Sequence, residues 1–269
     1  MTKPSWSDYA AGEESESADL LRGIVAHWVP ALGPSGLRLH DVSGWNNWGT
    51  LTGMDAATDW VISPDQYALD FDGVNDYVLV TRSRVFDQLI GNKTVQAWVK
   101  TSSPGSSFRT VISRDKTFSI TLLNSIFGIY SWADSAFRSS GVNVADGTWR
   151  HLAVSIRAGI TNGSQCFVDG VPRGSAFTYS VQVGNTTNDL TIGTALSAVN
   201  AVVTEFVNGQ FDDIAIWSRA MTASEIQAVY NLGRGGMLRR RRQRRVYIPE
   251  AAFRAYWARQ RAQLIGGGV

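Results

Sequence analysis

Apolar and polar residues alternate through most of the chain in runs too short for helices. Leu69 and Phe71 interleave with Asp70 and Asp72, the period-two pattern of a half-buried strand, and residues 77–80 resume in β-branched and aromatic side chains. Gly73 supplies the backbone freedom for a turn between them, which Asn75 and Asp76 can close through side-chain bonds to the backbone. The stretch 69–80 therefore reads as a hairpin of two core strands. The same patterning predicts a first strand within 21–28, then a turn-rich connection over 39–51. Further strands are expected at 94–99, 109–113, 118–122, 127–132, 151–156, 164–168, 190–193 and 209–217. Many short strands with turns between them, and no crossover helices, predict an all-β fold: a two-sheet antiparallel β-sandwich of the jelly-roll kind.

Two segments break the strand pattern. Thr222 is placed to cap a short helix over 223–230 after the last strand, with Glu225 at the capping-box position, Ile226, Val229 and Tyr230 as its apolar stripe, and Gly233 as its stop. Near the C-terminus, 248–264 reads as a helical tail: Pro249 suits its first turn, alanines dominate, and Phe253, Tyr256, Trp257 and Leu264 share one side. The expected organisation is an acidic N-terminal arm (1–19), a sandwich (20–232), an arginine-rich linker (233–247) and an amphipathic docking helix (248–269).

Charge sharpens this division. The net charge of +2 over 269 residues hides a split. From Arg234 onward ten arginines face only Glu250, a local +9 that leaves −7 for everything before it. The basic run is Arg239, Arg240, Arg241, Arg242, Arg244 and Arg245. Ten tryptophans supply core volume with some left for a surface, and the single Cys166 excludes an intrachain disulfide framework. No apolar run is long enough to span a membrane, and the first residues lack the apolar core of a secretory signal, so synthesis in a cytoplasm is expected.

Four stretches, in this order and spacing, resemble one superfamily, the laminin-G-like, concanavalin A-like lectin/glucanase jelly rolls. They are the entry at 21–28 with Asp41-Val42-Ser43-Gly44 and Asn47-Trp48-Gly49-Thr50-Leu51; the stretch 69–80, similar to the family's "A-L-x-F-D-G-x-D-D-Y-V"; Trp149-Arg150-His151-Leu152 with Val168-Asp169-Gly170; and Asn208 to Ile226, the last strand and its helix. The resemblance covers about residues 20–232 and implies the jelly roll directly. It also implies a calcium ion held near Asp72, Asn75 and Asp76 together with Asp212 and Asp213. Asn75 stands where the family usually has an acid, which lowers the local charge. From the residues alone, the same bend reads either as a cation site or as a turn that needs Asx side chains.

Retaining glycoside hydrolysis needs two carboxyl groups about 5–5.5 Å apart. Only Glu205 and Glu225 fall within the sandwich region, Glu205 has no carboxylate two or four residues away, and strand alternation sends Asp212 and Asp213 to opposite faces. His27, His40 and His151 are far apart in sequence and read as structural. No enzyme is expected. Glycan binding would use aromatic platforms beside Asn and Asp, for which Trp45, Asn46, Asn47 and Trp48, and Trp132 with Asp134, are the candidates, core packing being the competing role. The tail reads best as a peptide docking its apolar side on a partner protein, with nucleic-acid binding through phosphate contacts of the arginine run, or an interfacial helix on anionic lipid, as alternatives.

The expected function is thus a non-catalytic lectin-like module displayed on a larger assembly. A phage virion protein (head decoration, fibre or tail adhesin) present in several copies fits best. Its partners would be capsid or tail proteins and a host-surface glycan. The alternatives are a glycan-binding protein of a bacterial cell surface and, more remotely, a glycoside hydrolase.

Overall fold

The computed structural model describes residues 20–238 except 103–104, 106, 115–116, 133–134, 181–187, 198–200 and 203–204. The chain divides into a body ending at Gly235 and a C-terminal unit, Gly236–Val269. The expected N-terminal arm, basic run and docking helix, including Arg239 to Arg245, Phe253, Tyr256, Trp257 and Leu264, lie outside the described residues.

The first half of the body holds strands β1 (Ile24–Trp28), β2 (Arg38–Leu39), β3 (Gly49–Thr52), β4 (Trp60–Ile62), β5 (Tyr67–Asp72), β6 (Tyr77–Val80), β7 (Lys93–Lys100) and β8 (Phe108–Arg114). The second half adds β9 (Phe118–Leu123), β10 (Ile126–Ser131), β11 (Ala136–Asn143), β12 (Trp149–Ile156), β13 (Ser164–Val168), β14 (Val171–Phe177) and β15 (Leu190–Ile192). A small pair, β16 (Leu196–Ser197) and β17 (Ala201–Val202), precedes the long β18 (Asn208–Trp217). One sheet runs β14-β13-β12-β7-β18-β5-β4, with β1 also on β18, and the other runs β11-β10-β9-β8-β15-β6-β3-β2; all pairings within both are antiparallel.

Alternation sends every second residue inward. Val95, Ala97 and Val99 of β7, and Leu152, Val154 and Ile156 of β12, meet Phe118, Ile120 and Leu122 of β9 and Phe127 and Ile129 of β10 in one apolar core. Phe71 and Phe211 pack with ring centroids 4.7 Å apart, and Trp28 and Trp217 are fully buried. This is the expected sandwich, and each strand read from the pattern is present.

The stretch 69–80 differs from its reading as a hairpin. β5 pairs with β4 and β18 in one sheet, whereas β6 pairs with β3 and β15 in the other. The bend 73–76, with Gly73 at φ 77°, carries the chain across the core from one sheet to the other. Both strands are apolar on the core side, so alternation alone cannot say whether they share a sheet or face each other across the core.

The outer face of the first sheet is covered. Helix Ala223–Asn231 starts at a complete capping box, Thr222 accepting from the Glu225 N–H at 3.2 Å and Glu225 Oε2 accepting from the Thr222 N–H at 2.7 Å. Its Ile226 and Val229 are buried, and its Tyr230 stacks on Trp98 at 5.7 Å and lies 5.9 Å from His151. Further along the chain, the Arg234 guanidinium lies 3.9 Å over the Trp149 ring.

Candidate functional site

The register of the second sheet builds a continuous outward row. Arg38 lies opposite Thr50, Thr50 opposite Leu79, Leu79 opposite Thr191, and Thr191 opposite Ser113. Ser113 then faces Ser119, Ser119 faces Tyr130, and Tyr130 faces Phe137. A second row places Thr110, Thr121, Gly128 and Ser139 side by side. Small hydroxyl residues floor this face, and aromatics rise at its β8–β11 end.

There Phe108, Ser119, Thr121, Tyr130, Trp132 and Glu205 line a pocket of about 170 Å³. Tyr130 meets Trp132 edge-on at 5.0 Å and Phe108 edge-on at 5.6 Å, and Phe108 meets Phe137 at 5.9 Å. Edge-to-face contacts of this kind fix ring orientation without filling the space between rings. Trp132 stays 36% exposed, and the Ser119 and Thr121 hydroxyl groups form the buried floor. β8 bulges at Val111, so the Thr110 N–H turns to the Glu205 carbonyl at 2.9 Å and its hydroxyl donates to Glu205 Oε2 at 2.5 Å. The bulge thereby hangs one carboxylate on the pocket wall.

Gly128 makes room for the Phe137 ring. A Cβ there would come within 2.5 Å of Phe137 and 2.4 Å of the Arg138 carbonyl. Gly128→Ala is expected to lower stability by about 1–3 kcal/mol and to push Phe137 off the face, read out by denaturant titration and by near-ultraviolet circular dichroism of the aromatic cluster.

The other sequence-derived candidates fall elsewhere. Asp134 lies outside the described residues. In the loop 41–48, Asn47 is buried: its side-chain amide donates to the Val25 carbonyl at 2.9 Å and its own carbonyl accepts from Trp28 Nε1 at 2.7 Å. Asn47 is therefore a brace rather than a ligand contact. Asn46 is exposed at φ 57°, a turn conformation. Trp45 donates to the Ile24 carbonyl at 3.1 Å while 57% exposed, and Trp48 has the Arg38 guanidinium over its ring at 4.3 Å and meets His40 edge-on at 5.4 Å. This loop presents two single aromatics without the walls of the β8–β11 pocket.

The five residues expected around calcium do not form one donor set. Asp72 Oδ1 accepts the Val74 and Asn75 N–H groups at 2.7 and 3.2 Å, and Asp76 Oδ2 accepts the Asp72 N–H at 2.9 Å, so these carboxylates tie the bend. Burial and the neighbouring Asp72 and Asp59 raise the Asp76 carboxyl above the usual carboxylate range, the bend's own N–H opposing them. Asp72 lies opposite Asn208, four residues along β18 from Asp212. Among the described residues no group of three or more His, Cys, Asp or Glu side chains is arranged so that it could hold a metal ion.

Asp212 and Asp213 correct a second expectation. A bulge between Asp212 and Ala215, with Asp213 at φ 49°, breaks the alternation, so both carboxylates reach the segment at 234–235. Asp212 Oδ1 accepts the N–H groups of Ala31 and Asp213 at 3.2 and 2.8 Å, and its Oδ2 takes Gln66 Nε2 at 3.0 Å and lies 3.8 Å from Arg234 Nε. Asp213 lies 2.5 Å from His27 Nε2 and accepts the Gly235 N–H at 2.9 Å. Burial first, and the Asp213 charge second, push the Asp212 carboxyl up to about 7. Burial holds the His151 imidazole down to about 4, its Nε2 2.6 Å from Gln96 Oε1. Asp212, Asp213, His27 and His151 are at most 1% exposed, so no substrate reaches them. They clasp the end of the body.

Sequence reasoning found Trp132 and missed Phe108, Ser119, Thr121, Tyr130 and Phe137. Part of their signal was present: Ser119 and Thr121 alternate with the core residues Phe118, Ile120 and Leu122, and Tyr130 follows core Ile129, so alternation turns all three outward.

A family model described as Concanavalin A-like lectin/glucanases superfamily matches residues 72–227. A sequence comparison with curated proteins finds no match. Among solved structures, domain 4 of AbnA, a GH43 extracellular arabinanase from Geobacillus stearothermophilus in complex with arabinotriose, is similar at TM-score 0.57 and 19% identity, covering 77% of this chain and 98% of that one. The binding domain of Botulinum Neurotoxin DC in complex with SialylT is similar at TM-score 0.59 and 12% identity, covering 79% of this chain and 52% of that one. The binding domain of Paraclostridial Mosquitocidal Protein 1 gives TM-score 0.57 at 11% identity, with 79% and 52% covered. These likenesses reach the fold alone. The family model spans more than half of the sequence and embraces the crossing bend, the β12–β13 hairpin and the last strand with its helix: the chain belongs to the concanavalin A-like lectin/glucanases superfamily.

Proposed function

We propose that the protein is a non-catalytic glycan-recognition module and that its binding site is the aromatic pocket at the β8–β11 end of the second sheet. The observation that carries this is the pocket itself: Phe108, Tyr130 and Trp132 standing around buried Ser119 and Thr121 with one carboxylate alongside. Aromatic faces take the C–H side of a sugar ring, while hydroxyl groups and a carboxylate bind its edge. At about 170 Å³ the cavity is smaller than the ~300–1,000 Å³ of drug-sized sites, so it suits one ring of a longer glycan. Two structural neighbours of the same fold, whose structures are complexes with arabinotriose and with SialylT, support a glycan as the ligand.

Catalysis has no support among the described residues of the pocket, where Glu205 is the single carboxylate. Glycan-array binding followed by isothermal titration tests the reading. Tyr130→Ala and Trp132→Ala are each expected to weaken binding about tenfold or more with the fold intact. Unchanged affinity in both would reject the pocket.

The charge split between body and tail supports display on a larger assembly through the chain's ends, best a phage virion assembled in a host cytoplasm, with the basic tail on a capsid or tail protein. Cryo-electron microscopy of native particles tests this: density for the sandwich on the particle is expected, and a protein found only free in the lysate would contradict it.

A further inference from the structure

We propose that Glu205 makes the pocket selective for uncharged glycans and sets it against acidic ones. This rests on the glycan reading above and names the ligand class. Of the six described residues that line the pocket, Glu205 alone is charged. It is held rather than loose, because Thr110 donates its N–H to the Glu205 carbonyl and its hydroxyl to Oε2.

Among the described residues, the sheet register turns two arginines of β8 and β11 away from the pocket. Arg109 lies opposite Leu122, and Arg138 opposite Ile129, both core-facing partners, so alternation turns these two arginines to the side away from the pocket. Glu205 has no ion-pair partner among the described residues, and its second oxygen is left for a ligand. A fixed carboxylate beside aromatic walls accepts charge-assisted bonds from neutral sugar hydroxyls. The same carboxylate repels the carboxylate or sulfate of an acidic sugar, in a partly desolvated place where repulsion is stronger than in water.

The experiment compares matched pairs, a neutral oligosaccharide and its uronic-acid counterpart, by isothermal titration on the full chain. The wild type is expected to prefer the neutral partner about tenfold or more. Glu205→Gln, which keeps an oxygen for Thr110, is expected to narrow that preference to about threefold, neutral binding weakening as its charge-assisted bond is lost while acidic binding does not. Glu205→Lys is expected to reverse the preference, and thermal unfolding confirms that each variant is folded. Equal or tighter wild-type binding of the acidic partner, or a preference that Glu205→Gln leaves untouched, would overturn the assignment while the pocket reading stands. Loss of the site itself reads out separately, as binding indifferent to Tyr130→Ala and Trp132→Ala.

Discussion

Asp41→Ala is expected to lower the free energy of unfolding by about 3–5 kcal/mol. The carboxylate is 8% exposed and accepts four hydrogen bonds. Oδ1 takes the N–H groups of His27 at 2.9 Å and Ser43 at 2.8 Å, and Oδ2 takes the Ser43 hydroxyl at 2.7 Å and the Asn47 N–H at 2.9 Å. His27 and Asn47 are buried, so truncation strands two backbone donors away from water, each at about 1–3 kcal/mol. The same loop carries the Asn47 braces to Val25 and Trp28, which lose their anchor as well. Denaturant titration with an unchanged m-value reads the effect. Asp41→Asn, which keeps one acceptor oxygen, should cost less than Asp41→Ala. A loss below about 1 kcal/mol would show that water replaces the carboxylate.

Lys93→Met is expected to act in the opposite direction, raising stability at pH 7 by about 1–3 kcal/mol. Lys93 is 0% exposed on the core side of β7, its ammonium has no hydrogen-bond partner among the described residues, and it lies over the Tyr179 ring at 5.4 Å. Burial alone pushes its amine down to about 8 from 10.5. The unfolded chain therefore keeps this proton at pH values where the folded chain has lost it, and stability rises with pH between about 8 and 10.5. Below pH 8 the folded state carries the buried charge at its full cost. Methionine fills a similar volume without the charge. Chemical denaturation of both proteins from pH 7 to 10.5 should give curves that converge as pH rises, the gap being largest at pH 7. A gap independent of pH would mean that Lys93 is solvated.

Local chemistry made the helix after the last strand legible: the Thr222–Glu225 capping box and the Gly233 stop are contained in a dozen residues, and all are present. Strand positions were legible for the same reason, since alternation is local. What was not legible depends on register between distant segments. The 69–80 bend looks identical whether its strands share a sheet or face each other across the core. The placement of Asp213 depends on a bulge that alternation cannot foresee. The pocket gathers residues 108 to 205 through two strand pairings, β8–β9 and β9–β10, and a second bulge at Val111, so its outward residues could be noted one by one but not brought together beforehand.

The account stands most directly on where a sugar ring sits. A crystal structure of the protein with the tightest-binding neutral oligosaccharide from the array would show it. The account predicts a ring against Tyr130 and Trp132, with hydroxyl groups bonded to Glu205 and to the Ser119–Thr121 floor. A ring seated instead at Trp45 and Trp48, or on the loops at the β2 edge, would contradict it.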